Sequence, residues 1–98
     1  MNHECIFAPV TPGNARNSEA AAIQIEEDRL LLAWSDFYGG PTDFSGARIS
    51  AVVSEDNGRT WGDKFTLVEN QSIVNTMMPS LLRLHSGELS LFYLKLED

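Results

Sequence analysis

Ser54-Glu55-Asp56-Asn57-Gly58-Arg59-Thr60-Trp61 is the stretch from which the rest of this chain is read. Asp56 is a short carboxylate suited to accept hydrogen bonds from backbone N–H groups two or more residues on. Asn57-Gly58 tolerates positive φ. Ser54 and Thr60 can tie the two ends of a turn together, and Trp61 offers a large apolar face to lock it against a sheet. The octet therefore predicts a tight turn. A similar Asp-x-Asn-Gly string occurs in calcium-binding EF-hand loops. With Gly58 in the sixth place of such a loop, the first falls on Val53 and the twelfth on Lys64. Both end carboxylates are missing, and calcium is excluded.

Outward from the turn, Arg48 to Val53 reads as a strand by its period of two and its β-branching, and Lys64 to Val68 as a short strand after it. Upstream, Ala20 to Ile25 is apolar at alternate positions, Glu26-Glu27-Asp28-Arg29 is a polar turn, and Leu30 to Trp34 is a nearly continuous apolar run. That pair predicts a β-hairpin. Leucine also favours helices, but the run is boxed in by the polar turn and by Gly39-Gly40-Pro41, too short for a stable helix. A loop rich in Gly, Pro, Thr, Asp and Ser joins it to the next strand from Tyr38 to Gly46. The expectation is an all-β chain: an irregular lead-in over 1–18, then a four-stranded antiparallel meander over 19–69.

The pattern then restarts. Leu82 to Tyr93 can be laid over Ile23 to Trp34 with apolar residues coinciding at both ends and the turn in the same place, an offset of 84 − 25 = 59 residues. A repeated four-stranded unit is the signature of a β-propeller, whose blades bury both sheet faces. The second unit, 70–98, carries only the first half of a blade. One blade and a half cannot close a ring, so a fragment that needs its remaining blades is expected, with exposed apolar faces prone to self-association.

Composition narrows the partners. With 98 residues, 43% of them hydrophobic, the chain is no disordered tail. The formal charge is −7, the pI is near 4.6, and the basic residues are scattered, so nucleic acid and anionic membranes are excluded as partners. An anionic ligand would need a local arginine site. Cys5 is the single cysteine and His3 and His85 stand far apart, which leaves no disulfide, no metal site and no cofactor motif. No signal-like segment opens the chain and no apolar run would span a bilayer, so a cytoplasmic protein is expected. Asn70-Gln71-Ser72 fits a glycosylation sequon that would then go unused.

The octet matches Ser-x-Asp-x-Gly-x-Thr-Trp at every specified position and resembles the Asp box (BNR repeat) of the sialidase, or neuraminidase, superfamily. The resemblance runs from about Arg16 onward, and Asn75 to Leu84 looks like the start of blade two in Asp-box glycoside hydrolases. It implies a six-bladed propeller with the site at its axis, acting on a glycoside. It also implies an order of parts: an arginine before the first inner strand, an aspartate in a polar loop, a strand, then the box. Arg16 would grip a substrate carboxylate, a task suited to a guanidinium because it makes two parallel hydrogen bonds and keeps its charge. Asp43 would protonate the leaving glycosidic oxygen and then activate water. Glu19 would line the axis or hold Arg16. Asp36, where relatives carry a basic residue, is the second-choice acid and a departure that argues against simple sialic-acid specificity. Tyr38 and Phe37 are candidates for stacking on a sugar, while Trp34 suits core packing.

The bland alternatives are a surface Arg16 paired with Glu19, and an Asp43 that merely caps a turn. The tyrosine nucleophile, its glutamate and the further arginines of sialidases would lie in later blades. Tyr38 and Tyr93 are wrongly placed to stand in, so the chain alone is expected to be inactive. Two other classes stay open: a carbohydrate-binding or scaffolding propeller without catalysis, and a self-contained small β domain with an interaction role.

Overall fold

A computed structural model of the chain describes residues 10–97. The strands are β1 (Arg16–Glu26), β2 (Arg29–Phe37), β3 (Arg48–Ser54), β4 (Phe65–Val68), β5 (Asn75–Arg83) and β6 (Leu89–Leu96). The first four form one antiparallel sheet in chain order, and β5 and β6 form a two-stranded antiparallel sheet. The all-β class and the four-stranded meander are as the sequence predicts.

One boundary differs. Strand β1 begins at Arg16, not near Ala20, because the polar run Arg16-Asn17-Ser18 still pairs with Phe37, Asp36 and Ser35 of β2. A bulge follows between Ser18 and Ala21, with Glu19 at φ 47°. The bulge shifts the register by one residue and aims the polar start of the strand differently from its apolar end.

The same hairpin is then built twice. Gln24 pairs with Leu30 and Arg83 with Leu89, both shifted by 83 − 24 = 59 residues, and the offset holds along the whole ladder down to Arg16↔Phe37 and Asn75↔Leu96. The bulge recurs between Met77 and Ser80, where Met78 at φ 59° is the counterpart of Glu19. The turn recurs too, with Gly87 at φ 93° standing where Asp28 has φ 64°. The shared register below Gln24 and Arg83, the shared bulge and the positive φ at the same turn position make the two hairpins a structural repeat that extends beyond the residues whose apolar pattern announced it.

The two sheets share their core. Ala33, Ile49 and Ala51 are buried with Leu31, Leu67, Val68 and Leu81 against them, and Phe37, Ala47 and Met77 are buried with Leu96. Small residues at 33, 47 and 51 let the second hairpin approach closely. Fully burying a side chain such as Phe37 or Ile49 contributes about 1.5–3 kcal/mol. Polar contacts fix the docking: Thr76 N donates to Ala47 O at 3.1 Å, Met78 N to Ser35 Oγ at 2.7 Å, and Arg83 Nη2 to Gln24 O at 2.6 Å. Ala33 and Ser35 lie fully buried under that hairpin, whereas their counterparts Phe92 and Leu94 are exposed. The face that the first unit hides is thus open in the second among the described residues. No helix there is long and apolar enough to cross a membrane.

Candidate functional site

Three polar constellations hang on this frame. At the start of β1, the Arg16 guanidinium lies over the Phe37 ring, 4.5 Å from its centroid. Its Nη1 donates to Asp43 Oδ1 at 2.6 Å and to Pro41 O at 3.4 Å, while Nη2 stands 3.5 Å from Glu19 Oε2. The bulge carries Glu19 back toward Arg16, and Ser18 Oγ donates to Glu19 Oε1 at 2.8 Å. Three of the residues singled out from the sequence, Arg16, Glu19 and Asp43, therefore meet at one end of the first hairpin. The Asp43 side chain remains 65% exposed, open to a ligand.

The loop bearing Asp43 is closed at its base and at its tip. Gly39 N donates to Gly46 O at 3.1 Å, and Ser45 N to Thr42 O at 3.0 Å. A Cβ on Gly39 would sit 2.8 Å from Gly46 N, so a side chain there would pry the base apart. From the second hairpin, Asn75 Nδ2 donates to Asp43 O at 2.7 Å and to Ser45 O at 2.9 Å. Sequence reasoning passed over Asn75 as a site residue. Its signal lay in the 59-residue offset, which makes it the counterpart of Arg16.

Asp36 is placed differently from its expected role. It is 1% exposed, held by Asn14 Nδ2 on Oδ1 and by Ser50 Oγ at 2.6 Å and Lys64 Nζ at 3.3 Å on Oδ2, with Arg48 Nε 3.7 Å away. A carboxylate so enclosed has no open face for a sugar in this structure. Two cations and two neutral donors compensate its burial, which is what a charge in such a place requires. Phe37 is fully buried and Trp34 is buried, its Nε1 donating to Asn17 Oδ1 at 2.9 Å, so neither offers a stacking surface. Tyr38 is partly exposed but occupied: the Arg48 guanidinium lies 4.4 Å above its ring, and its hydroxyl accepts from Asn70 Nδ2 at 3.0 Å.

The Ser54–Trp61 turn folds as its residues dictate. Asp56 accepts from Ser54 Oγ at 2.8 Å, Thr60 N at 2.8 Å and Thr60 Oγ1 at 2.5 Å. Ser54 Oγ in turn accepts from Gly58 N at 2.8 Å. Asn57 and Gly58 both take positive φ, and Gly62 N closes onto Val53 O at 2.9 Å. The hydrogen bonds from the Thr60 hydroxyl and amide, then from Ser54, hold the Asp56 carboxyl down at about 2. Every oxygen of the carboxylate is used internally, so the turn is an anchor. Among the described residues no group of three or more His, Cys, Asp or Glu is placed to hold a metal ion.

Comparison with known proteins gives one point of contact. The chain is 39% identical over 64 residues to a protein named sialidase from Paraclostridium sordellii, an alignment covering 64% of this chain and 16% of that protein. The chain thus spans a small part of the relative it matches. No protein-family model matches it, and no solved structure does. These findings support a sialidase-like relationship.

Proposed function

We propose that this chain forms the first blade and part of the second of a sialidase-like propeller, with the Ser54–Trp61 turn as its Asp box, and that it supplies part of a glycoside hydrolase site. The meeting of Arg16 and Asp43, 27 residues apart in sequence and 2.6 Å apart in space, carries this reading. The hairpin repeated at 59 residues and the partial likeness to a sialidase support it. In the proposed reaction a substrate carboxylate competes for the Arg16 guanidinium. Asp43, released from that bond and protonated from solvent, gives that proton to the leaving oxygen as the glycosidic bond breaks and then regains one from the attacking water. Glu19 keeps Arg16 oriented in both states. The nucleophile and the remaining arginines come from later blades, and the chain by itself turns over no substrate.

A second reading, a carbohydrate-binding propeller without catalysis, has one observation in its favour: Asp43 Oδ1 is already committed to Arg16. Hydrolysis of an aryl sialoside by the longer protein that this reading implies separates the two. Asp43→Asn is expected to lower kcat by about 10²–10⁴, the span of general acid–base catalysis, with little change in binding. Hydrolysis that persists undiminished in that variant removes Asp43 from the chemistry. Binding without turnover in the unsubstituted protein favours the second reading.

A further inference from the structure

We infer that Asn75 is a positioning residue for Asp43, so that the site is assembled across two successive 59-residue units; the inference rests on the proposed role of Asp43. Arg16 and Asn75 occupy the same place in the two hairpins, at the first residues of β1 and β5 and paired with Phe37 and Leu96. Both reach the same residue, at different groups. Arg16 holds the Asp43 side chain, and Asn75 holds the Asp43 carbonyl.

Three features make Asn75 more than a packing residue. It is fully buried, 30 residues or more from both of the carbonyls it meets, and both of its Nδ2 hydrogens are committed to them. Its orientation is unambiguous, because the flipped amide would press Oδ1 against two carbonyl oxygens. Asn75 Oδ1 is itself buried without a hydrogen-bond partner among the described residues, so the side chain gives up an acceptor to keep the two donors. Leaving a buried polar atom unmet is costly, and the compensation is the pair of bonds to the loop. Neighbouring contacts on β5 dock the hairpin elsewhere: Thr76 on Ala47 and Met78 on Ser35. Asn75 alone of these touches the residue that carries the chemistry.

The test is spectroscopic and involves no sugar, so it stands apart from whether the chain belongs to a hydrolase. In the 98-residue chain, Arg16→Gln shifts the carboxyl carbon resonance of Asp43 by removing the guanidinium. Asn75→Asp has the same shape but replaces the two donors with a carboxylate facing two carbonyls. In the Asn75→Asp background the Arg16-dependent shift is expected to fall to less than half of its unsubstituted size. Ser35→Ala, which removes a different bond to the same hairpin, is expected to leave it intact. A full-sized shift in Asn75→Asp overturns the assignment. So does an equal loss in Ser35→Ala, which would mean that docking of the hairpin as a whole is what matters. Should Asn75→Asp fail to fold, hydrogen exchange in the unsubstituted chain decides. The Gly39 and Ser45 amides are expected to open together with the Thr76 amide as urea is added, and independent opening of the loop overturns the proposal.

Discussion

Asp36→Asn perturbs the most enclosed charge among the described residues while keeping its shape. In the unsubstituted chain Oδ1 takes the Asn14 amide, and Oδ2 takes the Ser50 hydroxyl and Lys64. The amide retains one acceptor and turns the other into a donor that faces Ser50 and Lys64. Ser50 can rotate to accept, whereas Lys64 cannot. The Lys64 side chain is 47% exposed, so it recovers water and its share of the loss is discounted, and the buried Arg48 Nε makes no hydrogen bond to Asp36 that could be lost. What remains is a buried mismatch with lost charge assistance, about 2 kcal/mol. Asp36→Ala, which orphans the buried Asn14 and Ser50 groups together, is expected to cost about 4 kcal/mol. A chain of this size has a total of about 5–15 kcal/mol. With a urea slope of about 1 kcal/mol/M, the Asp36→Asn midpoint falls by about 2 M. Lys64→Gln and Arg48→Gln are each expected to cost less than about 1 kcal/mol. An Asp36→Asn midpoint within about 0.5 M of the unsubstituted chain refutes this reasoning, and so does a Lys64→Gln cost equal to it.

Two further predictions concern turns. Asp56 has a folded value of about 2 against an ordinary 3.8, so the stability it contributes is fully present above 3.8 and is lost as pH falls through about 2. The gap in urea midpoint between the unsubstituted chain and Asp56→Asn should therefore be flat from pH 5 upward and close between pH 3.8 and 2; a gap constant across that window would sink the idea. Gly87 and Gly58 share φ 93°, but a Cβ on Gly87 meets nothing within 4 Å while one on Gly58 comes 3.4 Å from Leu30 Cδ1. Alanine at Gly87 should thus show the bare left-handed cost of about 1–2 kcal/mol, and at Gly58 slightly more, read from thermal melts. Asp28→Gly, at the matching turn, should be neutral or stabilising; a loss above about 1 kcal/mol would contradict the shared geometry.

What the sequence disclosed depended on how local the physics was. The Ser54–Trp61 turn was legible in detail because its donors and acceptors lie within eight residues of one another. The hairpin of β1 and β2 was legible from its apolar alternation, except where Arg16-Asn17-Ser18 pair without any apolar signal. Asp36 was misleading because its four partners come from positions 14, 48, 50 and 64, which only the folded sheet brings together. Phe37 looked available for a sugar, yet Met77 and Leu96 from the second hairpin pack over it. Arg16 and Asp43 were each singled out by likeness to a family pattern; their spacing alone does not bring them together, and their contact appears only in the fold.

The repeat explains why identical backbone positions carry such different residues. Asp36 and Lys95 are counterparts at 59 residues, as are Ala33 and Phe92. Hydrogen bonding constrains the backbone in both units equally, which is why register, bulge and turn coincide. Side chains answer instead to whatever lies on top of them. Position 33 is covered by a sheet and holds a small residue, and position 92 is uncovered and holds a large one. The same freedom lets Arg16 in one unit address the side chain of Asp43 and Asn75 in the next its carbonyl. A repeated frame with divergent side chains can therefore bring equivalent positions of two units, Arg16 and Asn75, onto one loop residue, Asp43.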